Sequence, residues 1–365
     1  PESSNKSAIG LAAFTSQKYF LPRVTGREIF LVLKEKHGMG FDDFIEEKIC
    51  PLAGDIMYEN FGLDTANLRE LSKDIDIIVN IAATTNFSER YDVAFDANVL
   101  GAKHVCAFAR KCRKLKMLLH VSTAYVAGEQ EGLILEKPFL MGETLREGTH
   151  LDIESELTLI RETRRELKDN CSSEKAERRT MKELGLKRAR QFGWPNTYVF
   201  TKAMGEMLLG HLRGELPVVI LRPSIITSIL KEPLPGWMEG IRTIDAVVIG
   251  YAKQTLPFFL VDLSLIMDVM LRLVNIALCG VFSRRYDDLS RKYRFIVQLI
   301  ELYAPYSLFK GCFDDMNTER LRMAMKKEQD SNGAEEYYFD FDPKSIDWDS
   351  YFYGVHIPGV LKYMR

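Results

Sequence analysis

The stretch Lys116-Met-Leu-Leu-His-Val-Ser-Thr-Ala-Tyr-Val126 decides the fold class, because an apolar run of strand length ends abruptly in two hydroxyl residues, Ser122 and Thr123. Open α/β sheets place their chemistry at the carboxyl ends of their strands. A hydroxyl there can hydrogen-bond a substrate carbonyl oxygen and stabilise the charge that develops on it. Standing alone, a Ser/Thr pair more often only opens a turn. Upstream, Asp76-Ile-Ile-Val-Asn-Ile-Ala-Ala83 is a second run of strand length, apolar enough to predict cover on both faces, and its small end at Ala82 and Ala83 lets a flat cofactor approach. Downstream, Val218-Val-Ile-Leu221 is a third. Helical patterns alternate with these runs, which predicts an α/β fold with a doubly wound, parallel, Rossmann-like sheet.

The run Thr197-Tyr-Val-Phe-Thr-Lys202 adds a proton donor. Four-residue spacing on a helix stacks the Tyr198 phenol and the Lys202 ammonium on one face. A tyrosine with its ordinary pKa near ~10 is a poor acid at neutrality, and a neighbouring cation is expected to bring that value down. Two common residues at one spacing also recur by chance. Asn98, in Asp96-Ala-Asn-Val-Leu-Gly-Ala-Lys103, is a polar amide inside a helix-forming stretch. Its bland reading is a solvent-facing helix residue.

Taken together and in order, Asn98-Val-Leu-Gly101, Val121-Ser-Thr-Ala-Tyr-Val126, Tyr198-Val-Phe-Thr-Lys202 and Leu221-Arg-Pro-Ser-Ile225 resemble the extended short-chain dehydrogenases/reductases. More narrowly, Ala82-Ala-Thr-Thr-Asn-Phe-Ser-Glu-Arg-Tyr-Asp92, Gly193-Trp-Pro-Asn-Thr-Tyr198 and Pro235-Gly-Trp-Met-Glu-Gly240 are similar to the plant alcohol-forming fatty acyl-CoA reductases, the male-sterility group. The resemblance implies that Tyr198 is the general acid, that Lys202 lowers its pKa and holds a nicotinamide ribose, and that Thr123, with Ser122 beside it, polarises the substrate carbonyl. It implies that Asn98 supports the lysine through water. Asp55 and Ile56, in Ala53-Gly-Asp-Ile56, match an adenine-contacting position whose bland reading is a turn. Ala82, Pro223, Ser224 and Ile225 are expected to line the nicotinamide.

The implied reaction is two-step reduction of a long-chain acyl-CoA to a primary alcohol, consuming NADPH, for wax, cuticle, suberin or pollen-wall lipids. A cytosol-facing place at the endoplasmic reticulum, peripheral to the membrane, is expected ahead of a plastid. The resemblance divides the chain into an atypical segment 1–25, a reductase domain over 26–270 and a small, mainly helical "sterile" domain over 271–365. Phe309-Lys-Gly-Cys-Phe-Asp-Asp-Met-Asn317 and Ile346-Asp-Trp-Asp-Ser-Tyr-Phe352 carry the last of these.

Two departures from the family pattern are visible. A Thr-Gly-x-x-Gly-x-x-Gly turn, whose backbone N–H groups would cradle a pyrophosphate, is not found, and Val24-Thr-Gly-Arg27 offers only its first pair. Phe259-Leu-Val-Asp262 and Arg272-Leu-Val-Asn275 resemble family segments that elsewhere lie far apart. The expectation is an open phosphate end, an unpaired edge near Ile77 and weak dinucleotide binding, so a catalytically silent relative that binds acyl-CoA or a partner is the rival reading. A sugar-nucleotide epimerase would share Thr123, Tyr198 and Lys202 but not the segment from Pro235 to Gly240.

Composition narrows the rest. With 49 Lys+Arg against 51 Asp+Glu in 365 residues, there is no basic surplus to suggest nucleic acid. Six scattered cysteines without a C-x-x-C read as reduced thiols, no secretory leader is evident, and the six histidines show no metal-ligand spacing. Residues 260–282 are apolar but interrupted by Asp262, Asp268 and Arg272, each costing about 2.5–3.5 kcal/mol at a bilayer centre, so a surface helix is expected over a spanning one. The charged runs Arg161-Glu-Thr-Arg-Arg-Glu-Leu-Lys168 and Glu177-Arg-Arg-Thr-Met-Lys182 read as solvated helix faces with i,i+4 pairs. His356 reads as a packed histidine between apolar neighbours. Oligomeric state is open.

Overall fold

The computed structural model describes residues 54–231, 234–238, 309–332 and 341–363, with isolated positions from 34 to 52 and from 245 to 306. The expectations for residues 1–25, for 260–282 and for a boundary near 270 lie outside the described residues. The chain forms two compact units, one of residues 1–130 and 137–224, the other of 131–136 and 225–365.

In chain order the first unit contains α1 (Thr65–Asp74), β1 (Ile77–Asn80), α2 (Tyr91–Phe95), a π-helical turn (Asp96–Leu100), α3 (Gly101–Ala109) and β2 (Met117–Val121). A short strand of the second unit, β3 (Gly132–Ile134), interrupts it. Then follow α4 (Ile153–Asp169), α5 (Glu174–Gln191), α6 (Thr197–Leu212) and β4 (Val218–Leu221). The sheet runs β1-β2-β4, all parallel, with Asn80 opposite His120 and Val121 opposite Leu221. This is the open parallel α/β sheet that the strand runs predict.

Among the described residues one face of the sheet is packed and the other is only partly covered, Ile77 and Val79 being half-buried. Ile78, Asn80, Leu118 and His120 are buried, while on the alternate face Val219 is 47% exposed, Leu221 48% and Ile81 59%. The reason is topological: successive right-handed crossovers in one direction, through α2 and α3 and then through α6, put their helices on the same side. Beneath that side Ile78 and Leu118 pack with Ile56, Phe61, Leu68, Val105, Phe108 and Leu209. Among the described strands β1 is an edge.

Helix α6 is apolar on nearly all sides and is buried accordingly, which sets it between this core and a second one. The second core joins Tyr91, Phe95, Met181, Trp194, Phe200 and Met204, with the Trp194 indole N–H donating to the Val126 carbonyl at 2.8 Å. Asn196 caps α6, its side chain accepting the Val199 N–H. Gly205 lets α6 lie directly on the π-helical turn: a Cβ there would stand 2.4 Å from the Asn98 carbonyl oxygen. Gly205→Ala is therefore expected to cost about 1–3 kcal/mol and to push Tyr198 and Lys202 out of place. A lowered midpoint in chemical denaturation together with reduced turnover would confirm it.

The charged side chains of the runs 161–168 and 177–182 lie at the surface of their helices, as expected, and the buried charge lies outside them. Arg179 and Glu183 form the expected exposed i,i+4 pair at 2.7 Å. Glu156, in contrast, is 1% exposed, accepting from Arg188 Nε at 2.9 Å and from the Tyr91 hydroxyl at 2.8 Å. Burial beside that carboxylate pushes the Tyr91 phenol well above its ordinary pKa.

In the second unit β3 pairs in parallel with β5 (Gly311–Phe313), followed by α7 (Met316–Asn332), α8 (Trp348–Tyr351), a π-helical turn (Phe352–His356) and α9 (Ile357–Tyr363). His356 is buried, as a packed histidine would be, but its neighbours are polar as well as aromatic. Its Nδ1 lies 3.0 Å from Ser228 Oγ and its Nε2 3.2 Å from an Asp245 carboxylate oxygen. The Tyr351 hydroxyl donates to the Ser228 carbonyl at 2.8 Å.

Candidate active site

The carboxyl ends of β1, β2 and β4 bring the predicted residues of the first unit together. Beyond the regular strands the chain remains zipped: Ser122 N–H donates to the Leu221 carbonyl at 2.7 Å and Ala124 N–H to that of Pro223 at 2.9 Å. This sets Thr123 and Pro223 side by side. Thr123 also caps the short 3₁₀ turn Ala124–Ala127, accepting the Tyr125 N–H at 3.3 Å. Its hydroxyl lies near enough to the Tyr198 phenol to favour the ionised form. Ser122 Oγ is buried with no hydrogen-bond partner among the described residues.

Tyr198 is half-buried and stacks on Phe87 at 5.7 Å between ring centroids, with 17° between the planes. Burial raises its pKa above the ordinary value, against the lowering effect of the nearby Thr123 hydroxyl. Lys202 is not among the groups that shift the phenol. The ammonium is turned inward, donating to the Val121 carbonyl at 2.7 Å, and burial lowers its own pKa to about 8. Here desolvation outweighs the attraction between helix neighbours.

Asn98 is 2% exposed and faces no solvent. Its amide nitrogen donates to Thr201 Oγ1 at 2.9 Å and to the Thr84 carbonyl at 3.2 Å, and its oxygen accepts the Thr84 N–H at 3.0 Å. It thus ties the loop after β1 to the helix that carries Tyr198 and Lys202. It does so from a π-helical turn, a distortion that recurs at functional sites.

The remaining predicted residues divide. Ala82 and Pro223 are half-buried and Ser224 is exposed, at strand ends open to a ligand. Ile225 is 59% exposed and begins the second unit. Asp55 accepts the Met57 N–H at 3.0 Å, which is turn chemistry. Ile56 is 4% exposed and packs under Gly101, so its side chain belongs to the core. At the nicotinamide end the residues fit the group: a buried hydroxyl at Ser122 with no partner among the described residues, small side chains at Ala82 and Ala83, and Thr123 close to the Tyr198 phenol. The region expected to hold the phosphates lies outside the described residues. Among the described residues no cluster of ligand-type side chains could hold a metal ion.

Sequence reasoning passed over Phe87, Asn80, His120 and the buried Glu206, which Arg222 Nε contacts at 3.1 Å. The signal for Asn80 and His120 was present: each is the lone polar side chain in an otherwise apolar strand.

Two family models, both described as male sterility protein, match residues 16–272 and 254–365. The chain is 40% identical to fatty acyl-CoA reductase 1 of Arabidopsis thaliana, over 92% of this chain and 86% of that protein. It is 38% identical to the alcohol-forming fatty acyl-CoA reductase of Simmondsia chinensis, over 93% and 87%. The first alignment runs to 430 residues, more than the 365 of this chain, so the relative has residues within it to which nothing here corresponds. Among solved structures, the terminal R domain of the myxalamid PKS-NRPS pathway aligns at 23% identity over 55% of this chain and 39% of its own, with a TM-score of 0.36.

Proposed function

The chain belongs to the male sterility protein family, with fatty acyl-CoA reductases as its relatives, and from that premise we propose that it reduces long-chain fatty acyl-CoA to primary alcohol with NADPH as reductant. The observation that carries the reading is the placing of the Thr123 hydroxyl near enough to act on the Tyr198 phenol at the carboxyl edge of the sheet, beside the buried Ser122 hydroxyl. A nicotinamide bound there supplies hydride.

Thr123 and Ser122 hold the carbonyl oxygen, so that the charge gathering on it meets hydroxyl donors already in position. Tyr198, kept protonated by burial, gives its proton to the alkoxide at the end of the second reduction. Lys202 presents a charge behind the phenol, and Asn98 fixes the helix that bears both groups. Phe87, stacked on the phenol, shields that face from water.

The test is direct. Incubation with palmitoyl-CoA and NADPH should yield hexadecanol, identified by gas chromatography, with NADH a poorer reductant. No alcohol from either nucleotide would overturn the reading, and acyl-CoA binding without reduction would point to the silent relative. A long-chain substrate also supports peripheral attachment at the cytosolic face of the endoplasmic reticulum. Among the described residues no helix is long and apolar enough to cross a membrane. Recovery of the expressed chain in the alkaline-washed supernatant of microsomes would support attachment of that kind, and its retention in the pellet would oppose it.

A further inference from the structure

Behind Lys202 the buried polar chain continues into the sheet. Asn80 and His120 are register partners on adjacent strands, 5% and 1% exposed. The Asn80 carboxamide nitrogen is 3.0 Å from His120 Nδ1. His120 Nε2 is 3.5 Å from Lys202 Nζ, at the long end of hydrogen-bond reach. The other charges nearby are Glu206, one turn along α6, and Arg222 after β4, which Glu206 holds.

Burial, and then the Lys202 charge, push His120 well below its ordinary pKa, so its ring is neutral. An ammonium offers only donors, and Lys202 has one acceptor in the Val121 carbonyl. A neutral imidazole supplies a second, provided that its Nε2 carries no hydrogen. The proton then sits on Nδ1 and needs an acceptor of its own. A carboxamide supplies oxygen or nitrogen at the same place by turning over, so Asn80 can receive it through Oδ1. The opposite tautomer would set an Nε2–H against the ammonium donors in a dry interior, leaving the ring N–H without an acceptor and the ammonium with the Val121 carbonyl alone.

We infer that His120, held in the Nδ1–H tautomer by Asn80, is a positioning residue that accepts a hydrogen bond from Lys202 and keeps the buried ammonium charged. The chain stops at Asn80, since a carboxamide has no proton to deliver. His120 thus sets the charge of Lys202 without resupplying its proton. The catalytic meaning of this charge rests on the reductase reading, but its measurement does not.

Two NMR experiments on the full chain test it. A long-range proton–nitrogen spectrum of the unmodified protein should show His120 protonated at Nδ1 and bare at Nε2, and an Nε2–H tautomer would overturn the inference. With lysine labelled at Cε, His120→Leu should lower the pH at which Lys202 deprotonates, by roughly a tenfold change in its dissociation constant. His120→Gln, which keeps an acceptor oxygen, should restore most of it. An unchanged Lys202 titration in His120→Leu would count against the proposal. Should the chain reduce no acyl-CoA, the reductase reading fails while both spectra still decide this one.

Discussion

Replacement of Tyr198 by phenylalanine is expected to lower acyl-CoA turnover by roughly 10²–10⁴-fold while leaving the unfolding transition close to that of the parent. Only one oxygen is removed. The ring keeps its stack on Phe87, and Thr123 keeps its capping bond to the Tyr125 N–H, so neither packing nor the local turn is disturbed. What disappears is the proton that the alkoxide requires. Because burial raises the phenol above its ordinary pKa, the acid form persists through neutral and mildly alkaline pH, and the parent rate should not fall there through loss of this acid. Turnover and thermal denaturation measured side by side decide the matter: near-parental turnover in Tyr198→Phe would remove the phenol from the mechanism.

Lys202→Met should abolish turnover and yet raise stability at neutral pH. Lys202 is 1% exposed, and its pKa is lowered from 10.5 to about 8 by burial. Holding the charged form in the folded chain at neutral pH therefore costs about 3 kcal/mol relative to the unfolded chain. Between about 8 and 10.5 the unfolded chain binds more protons than the folded one, so stability from this group rises with pH across that window and is at its lowest below it. Methionine has similar length and no charge to desolvate. After allowance for the acceptors left unpaired at Val121 and His120, a gain of about 1–2 kcal/mol is expected. Denaturation midpoints at pH 7 and pH 10 should differ less in the variant than in the parent. A variant that unfolds more easily at neutral pH would show that the ammonium supports the fold instead of burdening it.

The parts of the site that are legible in the sequence are the local ones. Tyr198 and Lys202 share a helix face through spacing alone, and Ser122 and Thr123 end an apolar strand, so both features are local and survive without knowledge of the fold. The polar residues that support them are not local. Asn98 meets Thr201 from a segment 103 positions away, and His120 meets Lys202 from 82. Nothing in a helical or strand period announces such a meeting. Asp55 and Ile56 carry fold duties that their motif does not announce, a turn hydrogen bond in the first and packing under Gly101 in the second.

The sequence by itself determined the parallel α/β class, the order of the motifs and the chemical types at the strand ends, because these follow from hydrophobic period and short-range spacing. Only the tertiary structure decided which face of the sheet is packed, where the Lys202 ammonium points, and that burial rather than the nearby cation governs the Tyr198 phenol. Those outcomes depend on desolvation and on contacts between residues far apart in the chain, and both quantities exist only once the strands and α6 are assembled.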